Sequence, residues 1–212
     1  SRRQRQMCIR DRRFAPLCLR YRADAMAALN RHEELERFLK AILANRPTPW
    51  AYSALGKLLF KRGQTSQAKE IYEQAIKAFS MMPGLYDGLA EVLMVLGDNR
   101  RAQQVLEDAV RLSPLAVKRQ MLLGKLALGN ADFDGASRAY RQAVSQGQNS
   151  RFKDPESNLG LAQALIQKNT GNGLDARTRV EINQVLGEVA KEYTEDQGLQ
   201  VRARLILSLI HI

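Results

Sequence analysis

The chain has 212 residues, 45% of them apolar, and its 33 Lys and Arg outweigh its 22 Asp and Glu to give a formal net charge of +11. Arg2, Arg3, Arg5, Arg10 and Arg12 against Asp11 supply +4 of that, leaving +7 over residues 13–206. Charge so diffuse lacks the concentrated positive face that phosphate-backbone binding needs, and no run of about 20 apolar residues is present to span a membrane. Nucleic acid and membrane are therefore not expected partners.

The two ends stand apart from the rest. Residues 2–11, Arg-Arg-Gln-Arg-Gln-Met-Cys-Ile-Arg-Asp, resemble the translation of a transposase sequencing adapter, and Arg12 fits the bases that follow. Residues 207–212 resemble the translation of the reverse complement of its end, so one inverted DNA repeat accounts for both termini. The competing readings are a basic nucleic-acid-binding arm and a short apolar anchor. Segments 1–12 and 207–212 are set aside as adapter-like before the fold is considered. Cys8 and His211 go with them, leaving Cys18 and His32, and a zinc site or disulfide framework is excluded by count. No signal peptide is recognisable, and a cytoplasmic location is expected.

In chain order, residues 17–29 and 33–44 read as amphipathic helices joined at Asn30-Arg31-His32, a degenerate hairpin within 13–48. Tyr21-Arg22 and Glu34 depart from the pattern that follows. From Pro49 the sequence repeats with a period of about 34 residues. A unit starting there, 49–82, carries Leu55, Gly56, Gly63, Ala68, Tyr72 and Ala75 in slots 7, 8, 15, 20, 24 and 27. In 83–116 the same slots hold Leu89, Ala90, Gly97, Ala102, Leu106 and Ala109, with Pro114 near the end. In 117–150 they hold Leu123, Gly124, Ala131, Ala136, Tyr140 and Ala143. The segment 151–194 opens on a helix over 155–166, with Leu159-Gly160 assigned to slots 7 and 8. A loop over 168–173 and a second helix over 175–193 follow it. A further helix begins in 195–206, where an uncovered apolar face is expected to fray.

This spacing has a physical cause. Two antiparallel helices approach closely only where side chains are small, which slots 8, 20 and 27 supply, while the large residues fill the space between them. Gly63 and Gly97 permit the tight turn, and Gly129-Asn130-Ala131-Asp132 is expected to turn without a glycine in that slot. Pro83 and Pro114 lie between units, where the missing N–H is not needed. These residues resemble the tetratricopeptide repeat. The resemblance implies an all-α fold, a right-handed superhelix of about five stacked antiparallel helix hairpins whose stability comes from neighbouring interfaces.

Residues capable of chemistry are sparse. His32 reads as a surface residue in a turn, and Cys18 as core packing on an apolar stripe with Phe14, Leu17 and Tyr21. Asp132 and Asp134 read as helix-capping carboxylates rather than an acid–base or calcium pair. Gly171-Asn172-Gly173 lacks the strand and the Lys-Ser or Lys-Thr of a phosphate loop. No catalysis and no cofactor are expected.

What remains is surface recognition. The resemblance implies that slots 2, 5, 9 and 12 of each first helix line a concave face. Those slots, with neighbouring side chains, give Trp50, Ser53, Lys57, Phe60 and Lys61, then Asp87, Glu91 and Met94, then Lys118, Met121, Lys125 and Leu128. Phe60, Met94, Met121 and Leu128 form an apolar strip flanked by lysines, suited to a partner helix or an extended acidic peptide. The Asn residues of the family's carboxylate-gripping members are absent, so that chaperone-docking activity is not carried over.

Three stretches point more narrowly. They are Arg46-Pro47-Thr48-Pro49-Trp50-Ala51, Leu112-Ser113-Pro114 through Arg119-Gln120, and Asn149-Ser150-Arg151-Phe152 through Asp154-Pro155-Glu156. Together they resemble the helical region of bacterial response regulators that carry a tetratricopeptide array after a receiver domain. That resemblance implies a receiver outside these residues. An RNA-binding helical-repeat regulator and the repeat region of an enzyme are the alternatives. Asp87 and Glu91 in the middle of the face argue against the first.

Overall fold

The computed structural model describes residues 17–148, 154–170 and 173–208. Among the described residues all regular structure is helical. Helix α1 runs over 17–28, followed by α2 His32–Asn45, α3 Pro49–Lys61, α4 Thr65–Ala78 and α5 Pro83–Val95. Then come α6 Asn99–Leu112, α7 Val117–Gly129, α8 Phe133–Gly147, α9 Pro155–Lys168, α10 Ala176–Glu192 and α11 Gln197–Ser208. The chain forms two compact units, Ser1–Leu96 and Gly97–Ile212. The division falls at the turn after α5, inside the segment 83–116.

Local chemistry places the ends of these helices. Pro49, Pro83 and Pro155 occupy the first turn of α3, α5 and α9, where no backbone N–H is missed. Asp98, Asp132, Asp154 and Asp175 precede α6, α8, α9 and α10, and each carboxylate accepts a hydrogen bond from a first-turn N–H. The capping expectation therefore holds for Asp132 and is corrected for Asp134, whose carboxylate sits in the first turn of α8 and forms an ion pair instead. Asp132 accepts from Gly135 N at 2.9 Å, while Asp134 pairs with Lys168 Nζ at 2.6 Å. The Lys168 ammonium holds the Asp134 carboxyl below its usual range.

Four hairpin turns contain one left-handed residue each, Asn30 (φ 55°), Gly63 (75°), Gly97 (79°) and Ala131 (60°), and Gly173 (73°) is left-handed ahead of α10. That conformation lets the chain double back while orphaned carbonyls are satisfied. Arg31 N donates to Met26 O, Gln64 N to Leu59 O at 2.9 Å, and Asp132 N to Ala127 O at 2.8 Å. The third of these turns thus forms without glycine, and Ala131 carries the strain of a Cβ in this region. Ala131→Gly is expected to raise stability by about 0.5–1 kcal/mol, the relief of strain being partly offset by a looser unfolded chain. A urea midpoint that stays put or falls would contradict that assignment.

In the first unit Leu35 and Leu39 of α2, Ala51, Leu55 and Leu59 of α3, Ala68, Tyr72 and Ala75 of α4, and Leu85 and Leu89 of α5 are buried. Tyr72 lies between two glycines. A Cβ built on Gly56 would meet its ring at 2.7 Å, and one on Gly88 at 2.4 Å. The second unit repeats the device with Tyr140, Gly124 (2.8 Å) and Gly160 (2.4 Å). Counted from the helix-opening proline, Gly160 takes the sixth place, as Gly88 does after Pro83. The assignment of Leu159-Gly160 to slots 7 and 8 is therefore corrected: Leu161 and Ala162, both buried, fill them. The second core joins Leu159, Leu161, Leu165, Ile182, Leu186 and Val189 with Leu199 and Ala203 of α11.

Polar groups fix the register in the second unit. Gln103, 9% exposed, donates from Nε2 to Asp132 Oδ2 at 2.7 Å, while Asn130 Nδ2 donates to Gln103 Oε1 at 2.8 Å and to Asn99 O. The α7–α8 turn is thereby tied to α6, with buried polar atoms paired rather than stranded.

Two expectations near the start fail. Cys18 is exposed, as are Leu17 and Tyr21, so the stripe through them is not core. Helix α1 instead buries Ala23 and lays Arg22 over the Phe38 ring, 4.8 Å from its centroid. Periodicity marks an apolar face without saying that anything covers it. His32, expected on the surface, is half-buried at the start of α2, with Nδ1 enclosed and unpaired. Phe14, Arg151, Phe152 and the Gly171-Asn172 pair lie outside the described residues. So do the adapter-like residues 1–12 and 209–212, whereas 207–208 end α11.

Candidate functional site

Each unit presents a groove lined largely by first helices. In the first, about 540 Å³, α3 contributes Trp50, Ser53, Lys57 and Lys61, opposite Arg20 and Asp24 of α1, with His32 at one side. Trp50 and Ser53 are half-buried and the two lysines exposed, so an apolar floor meets a cationic edge. Arg62 at this edge is held by Glu36, with Nη1 2.6 Å from Oε2. Arg62 joins Lys40 in holding the Glu36 carboxyl below its usual range; the Lys40 hydrogen bond is the larger cause.

The second groove, about 630 Å³, takes Lys118, Met121, Lys125 and Leu128 from α7. Facing them are Glu156, Gly160 and Gln163 of α9 and Arg202 of α11, with Tyr140 at the base. Glu156 and Gln163 were not among the expected groove residues, which came from 49–150 alone, and the two-residue slip in α9 would have misplaced them. Counted from Pro155 they occupy slots 2 and 9, the places of Lys118 and Lys125 counted from Val117. Arg202 had no signal beyond its helix, since α11 offers no complete repeat to align.

Phe60, Asp87, Glu91 and Met94 line neither of these two grooves. All four belong to the first unit, with Phe60 in the last turn of α3 and the other three on α5; Phe60, Asp87 and Met94 are half-buried and Glu91 exposed. Glu91 acts electrostatically on the buried tyrosine.

Burial, reinforced by the Glu91 charge, pushes the Tyr72 phenol up to about 12. Burial likewise pushes Tyr140 to about 12, with Glu156 adding to it. Both rings are buried and neutral in the folded chain. Because the folded values exceed the ordinary 10.0, the folded state holds its protons more tightly between about pH 10 and 12. The stability these phenols confer is complete below pH 10 and should fall as pH rises through 12. Alkaline titration of the Tyr72→Phe, Tyr140→Phe double variant, followed by helical ellipticity, should show a shallower fall over that window. An identical profile in the parent would contradict it.

Among the described residues no group of three or more His, Cys, Asp or Glu side chains is placed to hold a metal ion, and no helix is long and apolar enough to cross a membrane. Successive helix hairpins with small residues at their crossings and grooves along their first helices define a helical-repeat protein.

Two tetratricopeptide repeat family profiles match the sequence, one over residues 59–126 and the other over 121–171. The chain is a tetratricopeptide repeat protein. No curated protein matches it significantly. Among solved structures, it is similar to a tetratricopeptide repeat protein from Parabacteroides merdae, with 14% identity and TM-score 0.68, covering 91% of this chain and 72% of that one. It is also similar to YrrB, a TPR protein with an unusual peptide-binding site, at 18% identity and TM-score 0.65, covering 86% and 88%. MamA from Desulfovibrio magneticus shares 16% identity at TM-score 0.64, covering 85% and 96%. Likeness at these identities is one of fold.

Proposed function

We infer that the chain is a non-catalytic scaffold that holds a protein partner, as a helix or extended peptide, along its first-helix grooves. The observation that supports this most is the clustering of sequence-selected residues. Trp50, Ser53, Lys57 and Lys61 line one groove, and Lys118, Met121, Lys125 and Leu128 the other. Each mixes half-buried apolar floor with exposed cations, the surface an amphipathic segment recognises. YrrB, similar in fold, is a repeat protein with a peptide-binding site.

The test compares the parent with a folded Lys57→Ala, Lys61→Ala, Lys125→Ala, Leu128→Ala variant, all four in the groove linings, in pull-downs from bacterial lysate. A photo-crosslinking residue at Met121 then maps the contact, with one at the exposed Arg138 of α8 as control. A partner retained by the parent, lost by the variant and crosslinked from position 121 but not 138 supports the reading. Equal retention, or crosslinking from 138 alone, overturns it.

The narrower reading, output region of a bacterial response regulator acting in the cytoplasm, rests on the resemblance of the three stretches around Arg46, Leu112 and Asn149. In it, phosphorylation of an attached receiver alters partner affinity. Equal affinity of the full-length protein in both phosphorylation states would sink it.

A further inference from the structure

The second groove contains a contact that its binding role does not require. Arg202 of α11 reaches across to Glu156 of α9 and forms a two-pronged pair, Nη1 to Oε1 at 2.5 Å and Nη2 to Oε2 at 2.8 Å. Both side chains line the groove, and both are about half exposed, at 52% and 50%. A pair this open to water is weak and exchangeable. The same carboxylate feels Lys125 from α7, and these cations hold it below its usual range, the Arg202 hydrogen bond contributing most. Among the described residues Glu156 is the one acid in a lining that also carries Lys118, Lys125 and Arg202, while Asp196 acts electrostatically on both members of the pair. Between the charges lie Met121, Leu122 and Leu128, apolar and half-buried.

We propose that this groove takes an acidic peptide segment and that Glu156 is its built-in competitor, occupying Arg202 until a partner carboxylate replaces it. The proposal rests on the interaction reading above and adds the chemistry of the partner and a threshold for its entry. The net positive lining selects for acid, apolar side chains between the acids settle on Met121 and Leu128, and a Glu156 displaced from Arg202 is half exposed to water and still in the field of Lys125, so its release costs little. A basic segment gains Glu156 and the field of Asp196 but meets three cations.

The full chain is titrated against two fluorescein-labelled peptides, one alternating Glu and Leu and one alternating Lys and Leu, with anisotropy as readout. The acidic probe is expected to bind and the basic probe not to. Glu156→Gln should tighten the acidic probe about threefold by freeing Arg202. Arg202→Gln should weaken it, and Lys125→Glu should weaken it about tenfold. If Glu156→Gln leaves the acidic probe unchanged, the competitor role is wrong. If Glu156→Gln and Arg202→Gln tighten both probes alike, the pair acts only by holding α11 in place, and the proposal fails. Absence of acidic-probe binding while position 121 still crosslinks a partner overturns the acidic occupant and leaves the scaffold reading standing. Loss of both overturns the reading itself.

Discussion

Replacing Tyr72 by alanine is expected to destabilise the first unit by about 3–5 kcal/mol. The ring is 2% exposed and lies between Gly56 and Gly88, neither of which has a side chain to move into the space it would leave. The cavity therefore stays open, and the cost falls at the upper end of the range. Gly88→Ala provides the complementary result. Helix propensity alone would favour alanine by about 1 kcal/mol. Here the new Cβ would stand 2.4 Å from a ring already blocked on its other side by Gly56, so a net loss of about 1–3 kcal/mol is expected. In a Tyr72→Ala background the same change should become neutral or favourable, because the obstacle is gone. Urea unfolding followed by ellipticity gives the energies, and amide hydrogen exchange locates the loss in α3, α4 and α5. Additive effects of the two substitutions would show that ring and glycine are not in contact.

Leu186→Ala should destabilise the second unit by about 3 kcal/mol, whereas Leu205→Ala should cost about 0.5 kcal/mol or less. Leu186 is fully buried in a cluster with Leu159, Leu161 and Leu165, so truncation removes packing on every side. Leu205 is 61% exposed on α11 and has little to lose. Both are leucines in helices, and the contrast isolates burial from residue type. Similar midpoint shifts for the two would contradict the placement of α11.

Much of this architecture was legible because it depends on contacts close in sequence. A small residue is needed wherever adjacent helices cross, and a left-handed residue wherever the chain reverses, so Gly56, Gly63, Ala68 and Ala75 recur at fixed spacing. Asp175 announced the start of α10 and is its cap, its carboxylate accepting from Thr178 N at 2.7 Å. The groove residues of α3 and α7 followed from the same count. The register of α9 did not, since the spacing of the sequence before it departs from the period and only the proline at its start restores the count. Cys18 shows the opposite failure, a correct helix with an incorrect buried face.

The sequence by itself determined that the chain is a run of helical hairpins, where most of them turn, and which side chains their first helices share, because each follows from a local period and a local turn. Only the tertiary structure decided that Tyr72 and Tyr140 are each clasped by glycines from two successive first helices, that Gln103 ties the α7–α8 turn to α6, and that Arg202 meets Glu156 across 46 residues. Those contacts join residues far apart in the chain, and their pairing depends on how hairpins stack, which no single repeat encodes.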